Sequence, residues 1–285
     1  MIHQMVKYLS KGEPCSDAIT DWSNNCAARL PPEVAPAANL ARVIIRFVNL
    51  YASIKNNYEY QHASVTSDDL FETSRTVQEA LAIDAELEQW ELSLPPSWRF
   101  ITASPDNSDI YFSGKCHIYQ NLWSARIWNH YRWARIMVNE ILLVHMASLG
   151  SFPFDGCAQL VQYRQTINRM ATDICCSVSD QFSRTNILRE QVLTKVPPIS
   201  GCFPLLFPLA VSGSAIGVSE ELHEWVLNLL EKIGNEMGIM QALTMIDPTR
   251  DRRANWCVEK EMFDTRGVHA FHFGSNFPTG GVGVE

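Results

Sequence analysis

The chain has 285 residues, of which 46% are hydrophobic, 10% aromatic and 19% charged, with a formal net charge of -8. That apolar share excludes disorder over most of the length and is sufficient for a sizeable core. The acidic balance has the wrong sign for a chain whose main task is contacting phosphate, because nucleic-acid affinity comes from neutralising backbone charge.

Residues 1–32 read as a polar N-terminal segment. Lys7, Lys11, Glu13, Asp17 and Asp21 leave no room for the apolar stretch of a secretory signal. Past Pro31-Pro32, residues Val34 to Ile54 are predicted helical, since Leu40, Val43, Ile44, Phe47, Val48 and Tyr51 recur at spacings of three and four. Thr66 to Asp69 form a capping sequence for a helix reaching about Leu92, expected to bury Val77, Leu81, Leu87 and Trp90. Pro95-Pro96 ends it. Residues 101–114 are turn-forming and read as a surface loop. A long central helix is predicted from Lys115 to Ser148, with Ile127, Tyr131, Ala134, Val138, Leu142 and His145 on one stripe. Trp123, Trp128, Trp133, Ile136 and Met137 add apolar surface on its other faces. The next helix, Cys157 to Val178, is expected to bury Leu160, Tyr163, Ile167, Met170 and Ile174. Residues 201–209 carry Pro204 and Pro208, which allow at most a kinked helix. Glu220 to Gly234 and Asn235 to Ile246 form a last pair, and residues 248–285 read as a loop and loose tail. Strict alternation persists nowhere, so the fold class is all-α, with the helical domain spanning residues 33–247.

No stretch approaches the roughly 18–20 apolar residues of a membrane span. The eight cysteines include only one close pair, Cys175-Cys176, whose adjacency cannot meet zinc-ligand spacing. They are expected to be small buried hydrophobes, with no metal and no cofactor. His269 and His272 have ligand-like spacing but no third partner, and Arg250 to Arg253 read as a solvated loop. No nucleophile elbow, phosphate loop, dinucleotide fingerprint or zinc-protease motif occurs. His117, His130 and His145 share the central helix without sharing a productive face, so no catalytic residue is assigned.

Three stretches in order carry a family likeness: Leu81 to Phe100, ending in LSLPPSWRF; HIYQNLWSARIWNHYRWARIMVNEIL from His117 to Leu142; and Gly201 to Leu243, containing LLFPLAVSG and WVLNLLEKIGNEMGIMQAL. Together they resemble the regulatory domain of fungal zinc binuclear cluster transcription factors, over about residues 35–247. The resemblance implies an irregular all-helical module, nuclear, tied to transcription and often to specialised-metabolism gene clusters. Family members carry a basic six-cysteine segment that contacts DNA, and these residues contain none. The expectation is therefore a regulator without direct nucleic-acid contact, working through a DNA-binding protein or a second copy of itself. A metabolite-binding cyclase or isomerase on the same helical domain is the alternative.

The candidate ligand site is Trp128, Asn129, Arg132 and Arg135 on the central helix, with Asn139 nearby. Guanidinium forks grip carboxylate or phosphate, which would suit a small anionic metabolite. The competing and favoured expectation pairs the arginines with the acidic helix bearing Asp84, Glu86 and Glu88, because buried arginines need partners. The tryptophans Trp90, Trp98, Trp123, Trp128 and Trp133 are expected in the core rather than as a ligand cage.

Overall fold

The structure, a computed structural model, describes residues 2–26, 29–31, 33–60, 67–104, 111–148, 155–183 and 202–255. These are almost wholly helical, as the periodicity requires. Nine helices are α1 (Ile2–Lys11), α2 (Asp17–Cys26), α3 (Ala35–Tyr60), α4 (Ser67–Ser93), α5 (Leu122–Ser148), α6 (Asp155–Ser183), α7 (Leu206–Ser214), α8 (Glu220–Met237) and α9 (Met240–Thr244). Residues 246–255 add a further helical stretch. No helix among the described residues is long and apolar enough to cross a membrane.

The chain divides into two compact units. The first takes its described residues from 1–93 and 137–165, the second from 94–136 and 166–254. In the first, α3 is the central element. Leu40, Ala41, Ile44, Phe47 and Val48 are fully buried, and α1, α2 and α4 all pack on it. Arg46 of α3 donates to Glu79 (2.6 Å) and to Glu86 of α4, tying the two helices on their outer edge. The Trp90 indole N–H reaches the Pro36 carbonyl at 2.7 Å.

The N-terminal segment, read as polar, forms α1 and α2. Met5 and Leu9, four residues apart, sit fully buried against α3 while Lys7 and Lys11 stay exposed. A single two-residue stripe suffices to dock so short a helix, and charge counting overlooks it. On α4 the buried stripe is Val77, Ala80, Ile83, Leu87 and Trp90; Leu81 falls off it and is 42% exposed.

The second unit begins where Pro95 and Pro96 turn the chain into a short 3-10 helix, Pro96–Trp98. Residues 101–103 then form β1 (Ile101–Ala103), antiparallel to β2 (Cys116–Ile118), with Thr102 opposite His117. This strand pair corrects the sheet-free reading, and three-residue strands are too short to show alternation. It also delays the central helix to Leu122, where the Asn121 side chain accepts from the Ser124 N–H at 2.8 Å and caps the start. Trp123, at the open first turn, is 40% exposed rather than core.

Phe203–Leu205 is a 3-10 turn leading into α7, which accommodates Pro208 because its first turn needs no N–H donor there. Ser219 caps α8, accepting from the Leu222 N–H at 3.2 Å. The break after α8 falls at Gly238, with φ 73°, and not at Gly234. A Cβ on Gly234 would lie 2.3 Å from Leu243, so that glycine admits α9 against α8 rather than ending a helix. Residues 250–253, read as a loop, are helical: Arg252 donates to Ser214 at 2.9 Å and Arg253 to Glu220 at 2.7 Å. Cys15, Cys116, Cys175, Cys176 and Cys202 are free and buried. His269, His272, the Pro197-Pro198 connection and the tail lie outside the described residues, as do the side chains of Cys26, Cys157 and Cys257.

Candidate functional site

The polar heart of the second unit is built on one face of α5. Trp128 and Asn129 precede Arg132 by four and three residues, so both lie beside it on one side of the helix. The Trp128 indole N–H donates to the Trp98 carbonyl at 2.8 Å, holding the turn after α4 to α5. Arg132 is fully buried. Its Nη1 donates to the Tyr119 hydroxyl and to Asn129 Oδ1 (2.9 Å), and its Nη2 to His117 Nδ1 (3.2 Å). The guanidinium carbon lies 5.0 Å from the ring centre of Phe100, 5.3 Å from Trp128 and 5.7 Å from Tyr119. Cation–π attraction strengthens when water is removed, so the three rings offset part of the cost of burying this charge.

The network continues into α6. Asn129 Nδ2 donates to Ser177 Oγ at 2.8 Å, and that hydroxyl donates to the Ile174 carbonyl at 2.7 Å. Gln181 Nε2 donates to the same oxygen at 3.4 Å. Asp180 accepts from the Tyr119 backbone N–H at 3.4 Å.

His117 has its chemistry fixed by this setting. Accepting from Arg132 requires a lone pair on Nδ1, which puts the ring proton on Nε2, 3.7 Å from Asp173 Oδ1. Burial and then the Arg132 charge lower its pKa to about 3. The imidazole is neutral at physiological pH, so its approach to Asp173 is not an ion pair. A histidine whose lone pair already receives a guanidinium proton is not positioned to take one from a substrate. Burial raises the Cys15, Cys176 and Cys202 thiols to about 11 and pushes Cys175 up as well, which suppresses the reactive thiolate.

Of the residues predicted to form a ligand site, Trp128, Asn129 and Arg132 come together. Arg135 lies one turn on, donating to the Tyr131 hydroxyl at 2.6 Å and standing 5.8 Å over that ring. Asn139 belongs to the first unit and donates to Asp84 at 2.7 Å. The acidic helix α4 receives Asn139 through Asp84 and Arg46 through Glu86. Of the tryptophans expected in the core rather than as a ligand cage, Trp128 packs with Phe100 and Tyr119 around the chain's own Arg132 guanidinium. Phe100, Tyr119 and Ser177 complete the cluster and escaped the sequence reading, while His117, read as part of the central helix, joins them from β2. Only the LPPSWRF turn hinted at Phe100, by placing it just past a proline-enforced reversal.

Among the described residues one group has the composition of a metal site: Glu220, His223 and Glu224, with ligand atoms within 4.8 Å of one another. His223 Nδ1 donates to the Gly213 carbonyl at 2.7 Å, while Glu220 receives Arg253. The group lies within the first five residues of α8, at the positive end of the helix dipole, which disfavours a cation and favours carboxylates. Its arrangement is that of helix-start electrostatics completed by an arginine.

Set beside known protein families, curated proteins and solved structures, the chain matches no family model, and no significant relative or structural neighbour is found.

Proposed function

We propose that this chain is a regulator of transcription built on the helical regulatory domain of fungal zinc-cluster factors, acting through a DNA-binding partner. The supporting observation is how the three resembling stretches engage one another in the second unit. Trp98 and Trp123 meet edge to face at 5.0 Å, the Trp128 indole bonds the Trp98 carbonyl, and Trp133 meets Phe207 at 5.2 Å. The residues that carry the likeness thus meet one another within the second unit. The buried, internally bonded arginine cluster suits a structural module better than an acid–base catalyst. Ile101 and Ile118 face each other across the strand pair and are 70% and 44% exposed, an apolar pair available to a second protein.

The regulated genes belong, on this reading, to a specialised-metabolism cluster, and the protein works in the nucleus. Deleting the gene and measuring genome-wide transcripts tests it directly. Coordinated loss or gain of a clustered set of transcripts is expected, together with capture of a zinc-cluster protein by crosslinking and affinity purification. Unchanged transcripts alongside an altered metabolite profile would overturn the reading and favour a cyclase or isomerase.

A further inference from the structure

The first unit holds a half-open cavity of about 600 Å³ between α2, α3 and α4, within the range of small-molecule pockets. Its walls carry hydroxyls and carboxamides over an apolar floor formed by Val43 and Trp90. Two features of that wall bear on what it could hold.

Ser23, on α2, is only 2% exposed, and its hydroxyl has no hydrogen-bond partner among the described residues. A serine inside a helix ordinarily falls back on the carbonyl four residues earlier, and Ser23 does not. Buried hydroxyls are seldom left so, because the group has given up water without replacement.

The second feature is the contrast between two arginines one turn apart on α3. Arg46 is neutralised by Glu79 and Glu86. Arg42 donates to the Asn39 side-chain Oδ1 at 2.7 Å and has no carboxylate partner among the described residues. Asn49 is likewise half-used. Its oxygen accepts from the Cys15 N–H at 2.8 Å, leaving its amide donors for the cavity.

We propose that this cavity binds a small hydroxylated carboxylate, with the carboxylate on Arg42, a hydroxyl on Ser23 and the apolar body over Val43 and Trp90. Glu86 on the same wall, although held by Arg46, repels a phosphate dianion about twice as strongly as a singly charged carboxylate. A purely apolar ligand would leave Ser23 without a partner and strip water from the Asn49 amide without returning a bond. A neutral polyol would leave Arg42 without its counter-charge. The Trp90 N–H is already bonded to Pro36, so its indole presents carbon to the ligand.

The test uses the full chain and two matched pairs: phenyllactate with its reduced diol, and mandelate with its reduced diol. Binding is followed by isotope-edited NMR at the Ser23 and Asn49 amides and the Trp90 indole. At least one acid is expected to bind saturably, and about tenfold more tightly than its neutral counterpart. Arg42→Met, at an exposed position, should abolish that preference. Ser23→Ala should weaken the acid about threefold to tenfold while leaving the unliganded melting temperature unchanged or raised. Equal binding of acid and neutral partner, no saturable binding of either pair, or a lowered unliganded melting temperature in Ser23→Ala would each overturn the proposal. It does not rest on the role in transcription, whose own test reads transcripts and partner capture.

Discussion

Lowering the pH should unfold this protein through His117. In the folded state burial and Arg132 hold its pKa at about 3, whereas an unfolded histidine titrates near its model value of 6.5. Between those values the unfolded chain binds the proton and the folded one does not, so stability falls as pH drops from about 6.5 towards 3. For this single group the loss between about pH 7 and about pH 5 is roughly 2 kcal/mol, from about 1.4 kcal/mol per pH unit once below the unfolded pKa. His145, also lowered by burial, adds to the slope with the same sign. Urea unfolding at a series of pH values measures the total, and His117→Gln isolates the term of interest. The glutamine oxygen keeps an acceptor for Arg132 but cannot be protonated, so the pH slope should shrink by about one proton. An unchanged slope in His117→Gln would refute the reasoning. So would a folded-state His117 ring signal titrating near 6.5 by NMR, because the guanidinium would then not be facing Nδ1.

Arg132→Ala should cost about 3–5 kcal/mol by urea denaturation, since it strands Tyr119, Asn129 and His117 and opens a cavity between rings. Arg132→Met fills the space without a charge and should retain at least about 1 kcal/mol more stability than the alanine variant; it should also move the His117 pKa up towards 6.5, as seen by NMR. Ser219→Ala removes the cap of α8 and should cost about 1 kcal/mol, visible as a lower thermal midpoint. Gly234→Ala should cost about 1–3 kcal/mol because the new methyl meets Leu243, and Leu243→Ala should relieve most of that penalty in the double variant. Under native conditions Cys15, Cys175, Cys176 and Cys202 should resist an aromatic disulfide reagent, becoming reactive together on unfolding.

The sequence by itself determined that the chain is helical and where its principal helices lie. Leu40, Ile44, Phe47 and Tyr51 on α3 repeat with the period of the backbone itself, so their shared burial follows from local geometry. Cysteine spacing likewise removed the zinc cluster from consideration without any coordinates. The short elements were lost for a matching reason: three-residue strands and the two-residue stripe of α1 carry too little periodic signal to outweigh the polar residues around them. Which arginine meets which group was decided only by tertiary structure. Helical spacing brings Trp128, Asn129 and Arg132 to one side of the helix, but it is silent about Phe100, His117 and Tyr119, which a strand pair and a proline turn deliver from earlier in the chain. The same holds for the cavity, since an unpartnered Ser23 hydroxyl is a property of every neighbour at once. Periodicity reports the face that a residue occupies; the partner across that face is a long-range choice, made by packing and by the need to satisfy buried polar groups.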